Sequence, residues 1–401
     1  MAMPRAGRRR GAAPRGPRIG LALAGGGPVG AVYEIAALCA LQDALDGVDF
    51  SALHVYVGVS SGAFIASMLA NRFTPAELWE ILIETASEEH AIDPDVFLSP
   101  AKGELGRRAA SLPRLALEMV WRRLRAPLRG RNALLEGAGR AIPTGVFDNE
   151  RLAVFLKEAF RGEGRSNDFR RLTTTLRLVA TDLDTSDAVE FGAAGHDRVP
   201  ISRAVQASAA LPVLYPPVRI GGRDYVDGAL RKTLHASVAL REGARLVFCI
   251  NPIVPFDARE AARKGHPRQG KLADAGLPVV LSQTFRTLVH SRMQVGMARY
   301  RTLYKGADVL LFEPRRDDPE MFFTNVFAYS TRHRVFEHAY RSTLRDLAAR
   351  RRELAPRLAL HGISIRTAAL HAAATRHRPR PPALVRLDGA LDRLERWVRA
   401  P

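Results

Sequence analysis

Apolar and polar positions alternate between two periods along this chain, and the first 75 residues show both. Ile19-Gly20-Leu21-Ala22-Leu23-Ala24 is a short apolar run of the kind that forms a buried strand. Val32, Ile35, Leu38 and Leu41 then recur at helical spacing. A second run, His54-Val55-Tyr56-Val57, predicts another strand, and Ala63 to Ala70 predicts a helix behind it. Further on, Val218-Arg219-Ile220 is strand-like and is followed by a turn at Gly221-Gly222-Arg223-Asp224.

Both early strands end in glycine-rich turns. Gly25-Gly26-Gly27-Pro28-Val29-Gly30 follows the first. Its Gly25, Gly27 and Gly30 satisfy G-x-G-x-x-G, but a dinucleotide site also needs an acidic residue at the end of the next strand. That strand ends instead in Gly58-Val59-Ser60-Ser61-Gly62, and Asp43, Asp46 and Asp49 come before it. Gly58 to Gly62 is a G-x-S-x-G element in strand-turn-helix context. There the flanking glycines let the backbone turn sharply and present the serine hydroxyl above a helix N-terminus. A serine so placed needs a base and a set of donors for the developing oxyanion. Consecutive glycines at a neighbouring helix start leave several N–H groups aimed at one spot, so Gly25, Gly26 and Gly27 are the candidate donors. The base is less legible. Among eleven histidines, His235 and His290 are the most plausible, though each also reads as an ordinary helix-packing residue. Asp227, in Tyr225-Val226-Asp227-Gly228-Ala229, is the stronger candidate, though an aspartate before glycine is also a common turn former.

Together the glycine loop, the elbow around Ser60 and the Asp227-Gly228-Ala229 element resemble the patatin-like phospholipase family of serine acyl hydrolases. Gly145 to Asn149, Leu178 to Leu183 and Ala204 to Pro212 look like family segments as well, so the resemblance runs from about residue 19 to about 255. It implies a three-layer α/β/α fold with a mainly parallel central sheet. It further implies a Ser-Asp dyad of Ser60 and Asp227, an oxyanion hole of Gly25, Gly26 and Gly27, and a nucleophile elbow framed by Gly58 and Gly62. The expected reaction is cleavage of a lipid acyl ester through an acyl-serine, with no cofactor and no metal. No HExxH, paired CxxC or EF-hand pattern occurs. Two positions depart from the family pattern. Val29 stands where many members carry Arg or Lys, and Ala229 is followed by Leu230-Arg231-Lys232 rather than by glycine and an Asn/Pro-rich stretch.

Composition and charge adjust this picture in four places. At 401 residues and 47% apolar content the chain can bury one large core with an appendage. Cys39 and Cys249 exclude a disulfide framework, which favours a reducing, cytoplasmic setting. The longest run free of charged residues and histidine, Val55 to Asn71, contains the elbow and falls short of a membrane span. Residues 1–18, rich in Arg, Gly and Pro, read as a retained disordered tail, since a cleaved leader would take the glycine-loop strand with it.

The net charge of +19 comes almost wholly from arginine, with only six lysines. It suits an anionic membrane surface or nucleic acid, and no nucleic-acid motif accompanies it. The membrane option has a segment behind it. Leu117, Trp121, Leu124 and Leu128 recur at helical spacing among Arg122, Arg123, Arg125 and Arg129, within an expected helical cap at about 100–140. The same stripe also suits a cap helix packed on the core.

From residue 256 a helical extension is expected. It carries a loop at 257–270 and helices through Leu281-Phe285-Leu288, Phe336-Tyr340-Leu344-Leu347 and Leu384 to Val398. Besides a lipid hydrolase acting at a membrane, three alternatives stand: a soluble esterase or thioesterase with the same dyad, a non-catalytic lipid-binding protein, and a basic nucleic-acid-associated protein. Oligomeric state and lipid head group are not legible.

Overall fold

The computed structural model describes residues 18–84, 99–101, 103, 106, 110, 143–265, 271–324 and 331–372. The basic stripe through Trp121, nearly all of the expected cap, the 1–17 tail and the Leu384–Val398 pattern lie outside them.

Eight strands form one mixed sheet: β1 (Ile19–Leu23), β2 (Val55–Gly58), β3 (Thr175–Asp182), β4 (Ala188–Phe191), β5 (Val218–Ile220), β6 (Arg223–Asp227), β7 (Leu246–Ile250) and β8 (Asp308–Phe312). Their order is β8-β7-β1-β2-β3-β6-β5, with β4 also paired to β3. The run β8, β7, β1, β2, β3 is parallel, and β4, β5 and β6 are antiparallel additions.

Period-two alternation divides the core into two apolar layers, one on each sheet face. Leu21 and Leu23 of β1, Tyr56 of β2 and Leu246, Phe248 and Ile250 of β7 enter one cluster. Ala22, Val55, Val57, Val247 and Cys249, from the intervening positions, enter the other. The first face is covered by α1 (Gly27–Ala44), α2 (Ser61–Ala70), α3 (Glu150–Ala159), α4 (Ile201–Ser208) and α7 (Arg332–Ala349). The second is covered by α5 (Ala236–Arg241) and α6 (Leu277–Leu303). The architecture is a three-layer α/β/α sandwich. Helix α1 is buried almost all round, because α7 covers the side that the sheet does not; there Tyr340 Oη donates to Asp43 Oδ2 at 2.7 Å.

Three features of the C-terminal region differ from the sequence expectation. The region is chiefly helical, yet it also supplies β8, which extends the parallel sheet at β7. Within the expected loop at 257–270, Ala258–Arg263 is a helix, because the Asp257 carboxylate caps the Arg259 and Glu260 N–H groups, each at 3.0 Å. Helix α6 buries Val289, Met293 and Tyr300 and leaves Leu281 and Leu288 exposed, so the leucines of its sequence pattern are on its outer side. The Phe336-Tyr340-Leu344-Leu347 stripe of α7, by contrast, is wholly buried.

Candidate active site

The site is built where two strands share one edge of β3. Strand β4 occupies one edge, pairing Leu178 to Thr181 with Phe191 to Ala188. The opposite edge therefore serves both remaining partners. Parallel β2 covers it as far as Gly58 opposite Leu178, and antiparallel β6 approaches from the other end, with Asp227 opposite Ala180. The ends of β2 and β6 meet head to head beside Val179. Ser60, two residues past the end of β2, and Asp227, the last residue of β6, come together there.

Close backbone packing explains both elbow glycines. A Cβ on Gly58 would stand 2.3 Å from the Gly62 carbonyl oxygen, and one on Gly62 would stand 2.5 Å from the Ala24 oxygen. Ser60 itself is held at φ 54°, ψ −123°, outside the regions open to ordinary L-residues, a conformation that costs of order 1–3 kcal/mol. The turn is fixed by the start of α2, where the Ala63 N–H donates to the Ser60 carbonyl at 2.9 Å. The Ser60 hydroxyl donates to the Asp227 carboxylate, which also accepts from the Ala229 N–H at 2.8 Å. Complete burial raises Asp227 to about 6 against the lowering effect of these two hydrogen bonds. Its backbone is fixed as well, with its N–H on the Ala210 carbonyl at 2.9 Å and its own carbonyl accepting from Thr181 Oγ1 at 3.2 Å. Gly228 is required next to it, because a Cβ there would lie 2.2 Å from the Val179 carbonyl oxygen.

The glycine loop covers this pair. A Cβ on Gly25 would fall 2.9 Å from Ser60 Cβ, so only glycine lets the loop lie against the serine. Helix α1 begins at Gly27 with φ +62°, and the Gly30 N–H bonds the Gly26 carbonyl at 3.0 Å. The N–H groups of Gly25, Gly26 and Gly27 precede that first helical donor. Pro28 contributes none, and Val29 is buried in the apolar layer.

One residue without a role in the sequence reading joins the site. Ser208, inside the Ala204–Pro212 segment, accepts from the Ser60 N–H at 2.9 Å and donates to the Val179 carbonyl at 2.6 Å. It fills the gap that the β2–β6 junction leaves in the ladder. Neither histidine candidate reaches Ser60. His235 is buried and pulled down to about 3 by desolvation, and His290 bonds Gln294 along α6 at 2.9 Å. Neither lines the cavity described next.

That cavity, about 250 Å³ and largely apolar, opens above Ser60 and Asp227. Gly25 to Pro28 and Ala229 form its inner wall; Phe64, Leu152, Leu211 and Leu214 line its sides. Its far wall comes from Ile253, just past β7, and from the C-terminal region through the α6 residues Ser282, Phe285 and Arg286. Nothing in the sequence ties α6 to the elbow more than two hundred residues earlier, and only the tertiary packing reveals it. Among the described residues there is no cluster of His, Cys, Asp or Glu able to hold a metal, and no helix is long and apolar enough to cross a membrane.

Comparison with solved structures finds VipD from Legionella pneumophila at 17% identity and a TM-score of 0.37, covering 83% of this chain and 67% of that one. The ExoU–SpcU complex from the type III secretion system of Pseudomonas aeruginosa matches at 17% identity and a TM-score of 0.26, covering 70% of this chain and about half, 52%, of that one. No curated protein gives a match. The family model for patatin-like phospholipases matches residues 21–240, which takes in the glycine loop, the elbow, the strand junction and Asp227. With more than half its length inside that model, the chain belongs to the patatin-like phospholipase family of lipid-ester hydrolases.

Proposed function

We propose that the chain cleaves the acyl ester of a membrane lipid through Ser60 and Asp227, with an acyl-serine intermediate. The observation that carries this reading is the Ser60 hydroxyl donating to a buried carboxylate at the floor of an apolar cavity. As the Ser60 oxygen attacks the ester carbonyl, its proton passes to Asp227. The carbonyl electrons move onto oxygen, and the N–H groups of Gly25, Gly26 and Gly27 receive the oxyanion. Each such donor is worth about 2.7–4 kcal/mol in comparable sites. Collapse expels the alcohol, which takes its proton from Asp227. Water, deprotonated by the same carboxylate, then releases the fatty acid and frees the serine. A carboxylate raised to about 6 is ionised at neutral pH yet close enough to it to exchange protons.

Cavity size bears on the substrate. At about 250 Å³ the space is below the ~300–1,000 Å³ that encloses a drug-sized ligand. It takes the ester and the start of one chain, while the rest of a lipid stays outside. Exposed Leu277, Leu281 and Leu288 lie on the helix that forms the outer wall and favour approach to a lipid interface. The same small volume supports a second reading, an esterase of short acyl groups. In both readings residues 19–255 form the hydrolase body, and the 256–401 extension supplies one wall of the cavity.

Wild type, Ser60→Ala and Asp227→Asn proteins assayed on phospholipid vesicles and on a p-nitrophenyl ester series test this. Both variants are expected to lose at least about a thousandfold in kcat/KM with circular dichroism unchanged. Release confined to short p-nitrophenyl esters selects the second reading, and full activity of Asp227→Asn overturns the dyad.

A further inference from the structure

Arg286, one of the residues lining the cavity, has no carboxylate partner among the described residues. It is only 8% exposed. Its Nη1 donates to the Val254 carbonyl at 3.2 Å, and its Nε makes a long contact of 3.3 Å with Ser282 Oγ. The guanidinium carbon lies 5.1 Å from the centre of the Phe322 ring. These contacts place the group but do not neutralise it. Burial alone pulls its pKa down, to about 10, so it remains a cation at neutral pH. A buried, charged, five-donor group with one carbonyl and one weak hydroxyl partner has donor capacity to spare.

Its placement is rigid. One turn earlier, Gln283 clamps the Phe256 backbone from both sides, accepting from its N–H at 3.0 Å and donating to its carbonyl at 2.8 Å. Stacked Phe256 and Phe322 close the patch behind the guanidinium. Arg286 and Ser60 line the same cavity of about 250 Å³, so one bound molecule can meet both.

The geometry points to Arg286 as an anion-recognition residue that binds the phosphate of a phosphate-bearing lipid while its acyl ester sits at Ser60. A planar guanidinium matches the paired oxygens of a phosphate, and its burial strengthens that match. This rests on the lipid-hydrolase reading above and narrows it to lipids with a phosphate beside the scissile ester. The carboxylate of a released fatty acid offers similar oxygens, so the test must separate the two sources.

Two substrates that differ only in the anion serve: dioctanoylglycerol 3-phosphate and dioctanoylglycerol, each in neutral detergent micelles. Replacing Arg286→Gln is expected to lower kcat/KM on the phosphate lipid by about ten- to a hundredfold, chiefly through KM, and by a much smaller factor on the neutral lipid. Arg286→Lys should recover part of the loss. In a Ser60→Ala background, calorimetric binding of the phosphate lipid should fall by a similar factor on Arg286→Gln.

Equal losses on both lipids would make Arg286 a structural support of α6 and overturn the proposal. So would a wild type that shows no preference for the phosphate lipid. Competitive inhibition by octanoate that vanishes in Arg286→Gln, with phosphate selectivity intact, would assign the residue to product instead. If wild type hydrolyses neither lipid while the Ser60→Ala protein keeps its Arg286-dependent binding, the hydrolase reading fails and the anion site stands.

Discussion

The two walls of the cavity are held by different physics. On the inner wall, position is dictated by backbone exclusion. Gly25, Gly58, Gly62 and Gly228 each lie where a single added methyl would overlap a neighbouring carbonyl or the Ser60 side chain. On the outer wall, α6 is held by side chains: the Gln283 clamp, the Arg286 contacts and the buried Val289–Met293 stripe. A wall fixed by backbone overlap tolerates almost no change and keeps reacting atoms in register. A wall fixed by side chains can exchange residues without moving the elbow. On the proposed reading, this contrast puts the chemistry on the inner wall and the selection of what reaches it on the outer wall.

The largest effect is expected from breaking the inner wall. In Gly62→Ala the new methyl would meet the Ala24 and Leu23 carbonyl oxygens at 2.5 and 2.6 Å, and neither is the end of a flexible side chain. We expect a loss of about 3 kcal/mol or more in urea unfolding, together with the esterase activity. Gly27→Ala is the control. Its φ of +62° is costly for alanine, but the space around it is open, so the penalty is confined to about 1–2 kcal/mol. Equal penalties for the two would mean that overlap is not what fixes this wall.

Asp227 gives a smaller and pH-dependent effect. Its folded pKa, about 6, lies above its ordinary value of 3.8, so the native state holds the proton more tightly than the unfolded chain does. Stability from this group is present below pH 3.8 and is lost as pH rises through 6. Above that, the ionised buried carboxylate costs about 3 kcal/mol, two pKa units at 1.36 kcal/mol each. Asp227→Asn should therefore be more stable than wild type at pH 8 by up to that amount and no more stable at pH 4, as read from melting curves at both. Wild-type kcat/KM should rise with pH through about 6 and then level off. A flat profile, or an Asp227→Asn protein no more stable at pH 8, would remove the carboxylate from its proposed role.

The same contrast decides what was legible in the sequence. Ser60, Asp227 and the glycine loop were readable because each sits on a short local pattern whose residue types the backbone dictates. The α/β/α layering was legible through the family resemblance that those same patterns carry. What escaped depended on contacts between distant segments. Arg286 was one arginine among many, in a helix whose apolar pattern pointed to Leu281 and Leu288, and both proved exposed. Strand β8 is an edge strand after a charged stretch, and only its pairing with β7 marks it as part of the sheet. The Ala204–Pro212 segment was visible as a family feature, but its serine had no stated task, since that task exists only at the meeting of β2, β3 and β6.

Ser208 provides the finest test of the contrast, because it is a side chain acting as part of the backbone wall. Its hydroxyl replaces the ladder partners that the β2–β6 junction denies to the Ser60 N–H and the Val179 carbonyl. Ser208→Ala leaves both buried groups unpaired, at a cost of about 2 kcal/mol in urea unfolding. The substrate never touches Ser208, whose side chain is fully buried and absent from the cavity lining, so KM should stay constant. The Ser60 N–H, however, is the anchor of a residue held in a strained conformation. Released from it, the elbow can relax and carry the hydroxyl away from Asp227, so kcat should fall by about tenfold or more. A stability loss with kcat intact would show that the glycines alone hold the elbow. A fall in kcat at constant KM would show that the strain at Ser60 is maintained by a hydrogen bond reaching across 148 residues of sequence.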